Sequence, residues 1–231
     1  MSEQGLRIGG LTRLSTCDWP GELVATVFCQ GCPWRCGYCH NPGLIPAATP
    51  GAIGWDEVLD FLHRRRGLLD GVVFSGGEPT LQAALPEAMA QVRALGFRIG
   101  LHTAGPYPER LSEILPLTDW VGFDVKAGFS AYEPVTAVPG SGAKALESLR
   151  RLVASGLDYE VRTTVHGRLM DERRLDALAS NLLELGVRRY AVQAFRATGC
   201  PDGTLMSEAP PAPQLSEARA AQFDWYAFRA A

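Results

Sequence analysis

Three observations predict an α/β protein with parallel strands. Short runs rich in β-branched and aromatic residues alternate with Ala/Leu-rich amphipathic runs, the signature of βα units. Gly67, Gly96, Gly156 and Gly186 each stand just past a helical run and shortly before a strand, where a left-handed C-terminal cap belongs. The chain has room for six such units, which right-handed crossovers can curl into an open barrel. Its 231 residues fall short of the roughly 250 that an eight-stranded barrel takes.

Strands are expected near Leu23–Cys29, Gly71–Ser75, Arg98–Thr103, Trp120–Val125, Tyr159–Val165 and Arg189–Gln193. Helices fall between them, near Trp55–Arg66, Leu81–Leu95, Pro108–Leu115, Gly142–Ser155 and Asp171–Leu185. This divides the chain into an N-terminal extension over residues 1–22, a barrel over 23–196 and a Pro-rich tail over 197–231. Pro201, Pro210, Pro211 and Pro213 interrupt any regular element in the tail. Beyond them Leu215 to Ala230 reads as a short amphipathic helix, whose Phe223, Trp225, Tyr226 and Phe228 pack back on the barrel.

Bulk properties narrow the class. A chain that is 46% hydrophobic and 20% charged is an ordinary globular one, and a net charge of -3 gives no support to a nucleic-acid surface. Arg64, Arg65 and Arg66 form the one basic cluster of note, placed to match the C-terminal dipole of the first helix. The start, MSEQGLRIGG, has no apolar core of a secretory signal, and no apolar run approaches the roughly twenty residues of a membrane helix. The expected compartment is the cytoplasm, where six Cys point to metal or redox chemistry more than to disulfides.

The chemistry concentrates in Cys29 to Cys39, CQGCPWRCGYC. Cys32, Cys36 and Cys39 stand at the spacing C-x3-C-x2-C, with Tyr38 directly before the last thiol. A 4Fe-4S cluster normally takes four Cys ligands, so three thiolates leave one iron open to another ligand. A four-Cys zinc site over Cys29, Cys32, Cys36 and Cys39 is the competing reading. Only three residues separate its two pairs, where zinc sites usually place a dozen or more. Cys29, at the apolar end of a strand, reads better as a small buried hydrophobe, as do Cys17 and Cys200.

The motif C-x3-C-x-aromatic-C after a short apolar strand resembles the cluster motif of the radical S-adenosylmethionine (SAM) enzymes. Its surroundings narrow the resemblance: Ser15-Thr16-Cys17-Asp18-Trp19-Pro20-Gly21 before the strand, Phe28 to Cys32 into the loop and Tyr38-Cys39-His40-Asn41-Pro42 out of it. This run is similar to the activating proteins of anaerobic ribonucleoside-triphosphate reductase, a branch of the glycyl-radical activating enzymes. The resemblance implies a partial (βα)6 barrel and two cofactors, a 4Fe-4S cluster held by Cys32, Cys36 and Cys39 and SAM at its open iron. It also implies a flavodoxin- or ferredoxin-type electron donor. The implied reaction is one-electron cleavage of SAM to methionine and a 5'-deoxyadenosyl radical, which takes hydrogen from one glycine Cα of the reductase. No general acid or base is demanded, and no catalytic dyad stands out.

In parallel barrels the chemistry lies at the C-terminal strand ends. The second strand runs into Gly76, Gly77 and Glu78, which match residue for residue the segment that binds the SAM amino group in this family. Two glycines there also let the backbone approach a ligand closely. The third ends in His102 and Thr103, and the resemblance puts the Thr103 hydroxyl near the SAM carboxylate. Related activating enzymes often carry Asp where His102 stands, so no cation site is carried over. The fourth ends in Asp124 and Lys126, which strand alternation puts on one face; a similar D-x-K lines the SAM site of activating enzymes. An internal ion pair with no catalytic role is the alternative; the resemblance, and the place of Lys126 as one of only two Lys in the chain, favour the functional reading. Arg162 on the fifth strand and Gln193 and Arg196 on the sixth are further candidates for SAM or peptide contacts, and Tyr38 is placed against the adenine. Two rivals stand beside the activase: a radical SAM enzyme acting on a small molecule, as in deazapurine synthesis, and a non-catalytic metal-binding interaction module.

Overall fold

The computed structural model describes residues 5–206 and 210–230, and the chain divides into two compact units. The first comprises Met1–Pro33, Gly43–Thr103 and Tyr107–Gly122. Its elements are β1 (Ile8–Ser15), β2 (Val24–Cys29), α1 (Trp55–His63), β3 (Gly71–Gly76), α2 (Leu85–Ala94), β4 (Arg98–Thr103), α3 (Pro108–Ile114) and the start of β5 (Trp120–Asp124). β2 runs parallel to β3 from Val24↔Gly71 to Cys29↔Gly76, and β3 parallel to β4 from Gly71↔Arg98 to Phe74↔Leu101. Both β2 and β3 are buried nearly throughout, which is why they read as apolar runs without alternation. α1 buries Val58, Phe61 and Leu62, and α2 buries Leu85, Ala88, Met89 and Val92, at the i, i+3, i+4 spacing of one helical stripe.

The expected N-terminal extension is part of this sheet. β1 pairs antiparallel with β2, with Thr12 opposite Thr26 and register irregularities on either side. The Ser15–Gly21 run then folds under the strands. Trp19 stacks on Trp120 at 5.5 Å between ring centroids and packs against Val24 and Val73. A Cβ on Gly100 would come within 2.9 Å of the Trp19 ring, so glycine there makes the room for the indole. α1 ends at His63, which leaves the three arginines beyond the helix rather than in its last turn. Arg65 lies over the Phe61 ring, an apolar seat for a cation that has water on its other side.

The second unit comprises Trp34–Pro42, Ala104–Pro106 and Phe123–Ala231. After the end of β5 it contains α4 (Glu133–Thr136), α5 (Ser141–Ser155), β6 (Asp158–Val165), α6 (Glu172–Glu184), β7 (Arg189–Ala194), α7 (Glu217–Ala220) and β8 (Trp225–Arg229). β6, β7 and β8 are mutually parallel, with Val161↔Tyr190↔Tyr226 in one row. The six expected strands all form, within one residue at each end, and Gly67, Gly96, Gly156 and Gly186 all take positive φ as helix caps require. No helix among the described residues is long and apolar enough to cross a membrane.

The tail departs from expectation. Only Glu217–Ala220 is helical, and Trp225–Arg229 is a strand on the edge of β7. Tyr226 and Phe228, two residues apart, fall on one face of a pleated strand, and the β7 edge supplies a hydrogen-bond ladder that no local signal announces. One side chain pins it there. Arg229 makes a two-pronged ion pair with Glu160 of β6, 2.7 Å at each oxygen, and the Glu160 side chain is 1% exposed. The register puts Ala191 and Ala227 on the same face as Glu160 and Arg229, so small residues flank the bridge.

Removing one partner of a buried pair strands the other charge, at a cost of roughly 3–5 kcal/mol when both are fully buried. Arg229 is 30% exposed, so Arg229→Ala is expected to cost about 2–3 kcal/mol in urea unfolding. Arg219→Ala, which breaks a more exposed bridge to Asp176, is expected to shift the urea midpoint far less. Equal losses would mean that Glu160 does not need its partner.

Candidate functional site

In the first unit the site is made by backbone. Gly31 donates to the Leu44 carbonyl at 2.7 Å and Cys32 to that of Ile45 at 3.0 Å, so the loop leaving β2 is held as an irregular pair with residues 44–45. Gln30, 2% exposed, reaches the Gly43 and Pro46 carbonyls, and Gln82 reaches those of Arg7 and Gln30. These two amides fix the loop, and nothing in their spacing advertises it. The turn after β3 is locked to the same stretch: Gly77 donates to Cys29 at 2.9 Å and Glu78 to Gly31 at 2.8 Å. Gly76 has φ +113°, and a Cβ on it would overlap the Cys29 backbone; one on Gly77 would overlap the Gly31 carbonyl. With both N–H groups committed, this turn would meet an ammonium group through carbonyl oxygens, which are the acceptors that such a group needs.

Glu78 is 2% exposed, and its Oε1 accepts from the Thr80 amide at 3.1 Å, the Thr80 hydroxyl at 2.5 Å and the Thr103 hydroxyl at 2.8 Å. The sequence-predicted pair Glu78 and Thr103 is therefore brought into direct contact, and Thr80 joins them unforeseen. Its sequence signal was available: a hydroxyl two residues after a carboxylate at a helix start is a local capping pattern. His102 holds structure. Its Nε2 is 2.6 Å from the Asp18 carbonyl and its Nδ1 3.2 Å from the Ser75 hydroxyl. A carbonyl only accepts, so Nε2 carries the proton and Nδ1 accepts from Ser75. Asp18 in turn accepts from the Thr26 hydroxyl at 2.6 Å, which anchors the Ser15–Gly21 run.

In the second unit the site is made by charge and aromatic packing. The Asp124 carboxylate is held from both sides, by Arg162 Nε at 3.0 Å on Oδ1 and by Lys126 Nζ at 3.2 Å on Oδ2. Burial works against the Lys126 charge, but Asp124, Tyr38 and Cys36 acting together, with the Asp124 hydrogen bond, hold the ammonium pKa well above its ordinary value. The Lys126 amide donates to the Tyr132 hydroxyl at 2.9 Å, and Lys126 Nζ lies 5.8 Å from the centre of the Tyr38 ring. Tyr132 is a residue that the sequence does not single out. Burial raises the Tyr38 phenol far above its ordinary range, so it stays protonated, and no described residue hydrogen-bonds its buried hydroxyl. Cys39 donates to the Cys36 carbonyl at 3.0 Å in the turn that carries both thiols. Gln193 stands in register between Thr164 and Arg229, two rows beyond Arg162 and on the same face.

These residues suit a cluster and SAM. Cys32, Cys36 and Cys39 are partly exposed and in no disulfide, Gly76 and Gly77 bring the turn after β3 against the backbone at Cys29 and Gly31 that leads into them, and the Tyr38 hydroxyl is buried without a partner among the described residues. Burial raises the Cys36 thiol, with Lys126 opposing; a bound metal removes such a proton outright. No three His, Cys, Asp or Glu side chains among the described residues converge on one ion position. A cubane asks for a different arrangement, one thiolate at each of three separate irons. Cys29 lies fully buried in β2, its thiol raised by burial and by Glu78, consistent with its reading as a packed hydrophobe.

Residues 26–192 match the family described as the Radical SAM superfamily. A Methanocaldococcus jannaschii protein whose name assigns it provisionally to the glycyl-radical enzyme activating enzymes is 30% identical over 198 residues, 81% of this chain and 79% of that one. The pyruvate formate-lyase-activating enzyme of Clostridium pasteurianum is 31% identical over 188 residues, 77% of this chain and 76% of that one. Among solved structures, Streptococcus suis SuiB bound to S-adenosylmethionine superposes with a TM-score of 0.60 at 15% identity, over 74% of this chain and 40% of that one, which is a likeness of fold. With the match spanning the cysteine loop, the glycine turn and the strand ends described above, the chain belongs to the radical SAM superfamily, among the homologues of the glycyl-radical-enzyme activating enzymes.

Proposed function

We propose that this chain is the activase of anaerobic ribonucleoside-triphosphate reductase, installing the glycyl radical on that enzyme with an electron from a flavodoxin- or ferredoxin-type donor. The activating enzymes of other glycyl-radical enzymes are its relatives, and the cofactors of its family are a 4Fe-4S cluster and SAM. The observation that carries the reductase as partner is the run around the cysteines, from Ser15–Gly21 through Phe28–Cys32 to Tyr38–Pro42. Bound together, cluster and SAM supply a one-electron cleavage that yields a carbon radical able to take hydrogen from a glycine Cα.

The protein's own part is to bind, orient and exclude water. Cys32, Cys36 and Cys39 hold three irons. The turn at Gly76 and Gly77 offers carbonyls to the SAM amino group, with Glu78 adding negative charge and Thr103 and Thr80 holding its carboxylate in place. Asp124, clamped by Arg162, and Lys126 would line the SAM site, where Lys126 would answer a carboxylate with a compact point charge. Tyr38 would lie near the adenine, and Gln193 would contact SAM or the peptide substrate.

Three outcomes are expected. An anaerobic electron paramagnetic resonance spectrum of reconstituted, reduced protein with SAM and the same organism's anaerobic reductase gives a glycine-centred doublet that is lost in Cys32→Ala, Cys36→Ala and Cys39→Ala. 5'-Deoxyadenosine without a doublet would overturn the reductase as partner and direct the search to other glycyl-radical enzymes or to a small molecule. Zinc in place of iron, with no SAM cleavage, would overturn the enzyme reading. In a binding titration Lys126→Met weakens SAM about ten- to a hundredfold, the value of one charge-assisted contact; an unchanged affinity would return Lys126 to a purely structural pair. Gly77→Ala loses SAM cleavage while Gly43→Ala, where a Cβ meets nothing within 4 Å, retains it. Equal activity of the two would show that the Gly31–Gly77 approach can relax.

A further inference from the structure

The half of the cysteine loop that carries Cys36 and Cys39 has no helix or strand of its own, yet its ligands need fixed positions. Within the same unit a later segment packs on it at several independent points. The Cys200 thiol lies 3.5 Å from the Gly37 carbonyl and can donate to it. Cys200 and Leu205 form one buried cluster with Tyr38, joined by Phe195 and Val135. Gly199 has φ +82°, and a Cβ there would overlap the His40 carbonyl. The Phe195 ring stands 5.6 Å from His40 and 5.0 Å from His166.

His166, in turn, holds the segment down. Its Nδ1 accepts from the Arg168 amide at 3.2 Å, so Nε2 carries the proton and donates to the Leu205 carbonyl at 3.1 Å. Leu205 is thus fixed through its backbone by His166 while its side chain covers Tyr38. Apart from Arg196, a candidate for SAM or peptide contacts, nothing in this stretch carries a functional reading in the sequence, where Cys200 is a small hydrophobe and Pro201 an interruption.

We propose that residues 195–206 are a clamp that sets the position of Cys36 and Cys39 before any cofactor arrives, with Leu205, Gly199 and Cys200 as its positioning residues. This rests on the reading that Cys36 and Cys39 are cluster ligands. The contacts themselves are made by the apoprotein, which is where the device is tested. A preformed loop spares cluster and SAM binding the cost of ordering nine residues, 34–42.

The experiment is hydrogen exchange by mass spectrometry on the full-length apoprotein, comparing Leu205→Ala and Gly199→Ala with the parent. Expected is an increase of about tenfold or more in exchange over residues 34–42 in both variants, with the peptides of β2–β4 and the melting temperature unchanged. Leu205→Met, close in volume, is expected to restore protection. After reconstitution both Ala variants are expected to take up less iron and to show a broadened spectrum of the reduced cluster. Unchanged exchange over 34–42, with only 195–206 loosened, would overturn the clamp. Should Leu205→Ala unfold, the Gly199→Ala comparison carries the same two outcomes. A parent protein that takes up no cluster would sink the functional reading instead, and the exchange data would still decide whether the clamp exists.

Discussion

The closest constraint in the first unit is the approach of two backbones, Gly76–Glu78 against Cys29–Gly31, sealed by hydrogen bonds of 2.9 and 2.8 Å and admitting no Cβ. Much else there follows from it. β2 and β3 must end level, which their register from Val24↔Gly71 to Cys29↔Gly76 achieves. Gly31, at φ +98°, then turns the chain so that Cys32 can pair with Ile45. Glu78 enters a buried setting, and a buried carboxylate has to be answered; three hydrogen bonds from Thr80 and Thr103 do so. The glycines are thus required by the protein's own backbone before any ligand is considered.

Charge governs the second unit. Two ionic groups there differ in geometry. Glu160 and Arg229 match one to one, with both prongs occupied at 2.7 Å, which suits a fastener between strands. Asp124 is met on separate oxygens, by Arg162 at 3.0 Å and by Lys126 at 3.2 Å. The internal ion pair foreseen for Asp124 and Lys126 is real, and Arg162 holds the same carboxylate from its other side.

How far the sequence could be read follows from what each element depends on. Strands β2–β7 are legible because local residue type and burial agree: Val, Ile and aromatic runs between glycine-capped helices have one natural reading. β8 is not legible, since five residues with three aromatic side chains among them become a strand only when an edge accepts them, and that edge is β7, about thirty residues back in sequence. Within the site, Cys32, Cys36, Cys39 and the glycine turn carry their spacing in plain view. Tyr132, Gln30 and the 195–206 segment make their contacts through a hydroxyl, an amide and an apolar cluster that carry no spacing signal of their own. His102 shows the converse: it stood at a strand end where a ligand contact was conceivable, and its two nitrogens are turned to Asp18 and Ser75.

The cysteine loop is therefore secured by two kinds of physics with different tolerances. Around Cys32 the partners are backbone groups at contact distance, so any added atom at Gly76 or Gly77 displaces the main chain, and the response to substitution is all or none. Around Cys36 and Cys39 much of the contact is side-chain packing, Leu205, Phe195 and Cys200 against Tyr38 and His40, beside one close backbone approach of Gly199 to the His40 carbonyl. Side-chain packing can be weakened one methylene at a time, so this half of the loop answers substitution by degrees where the Cys32 half does not.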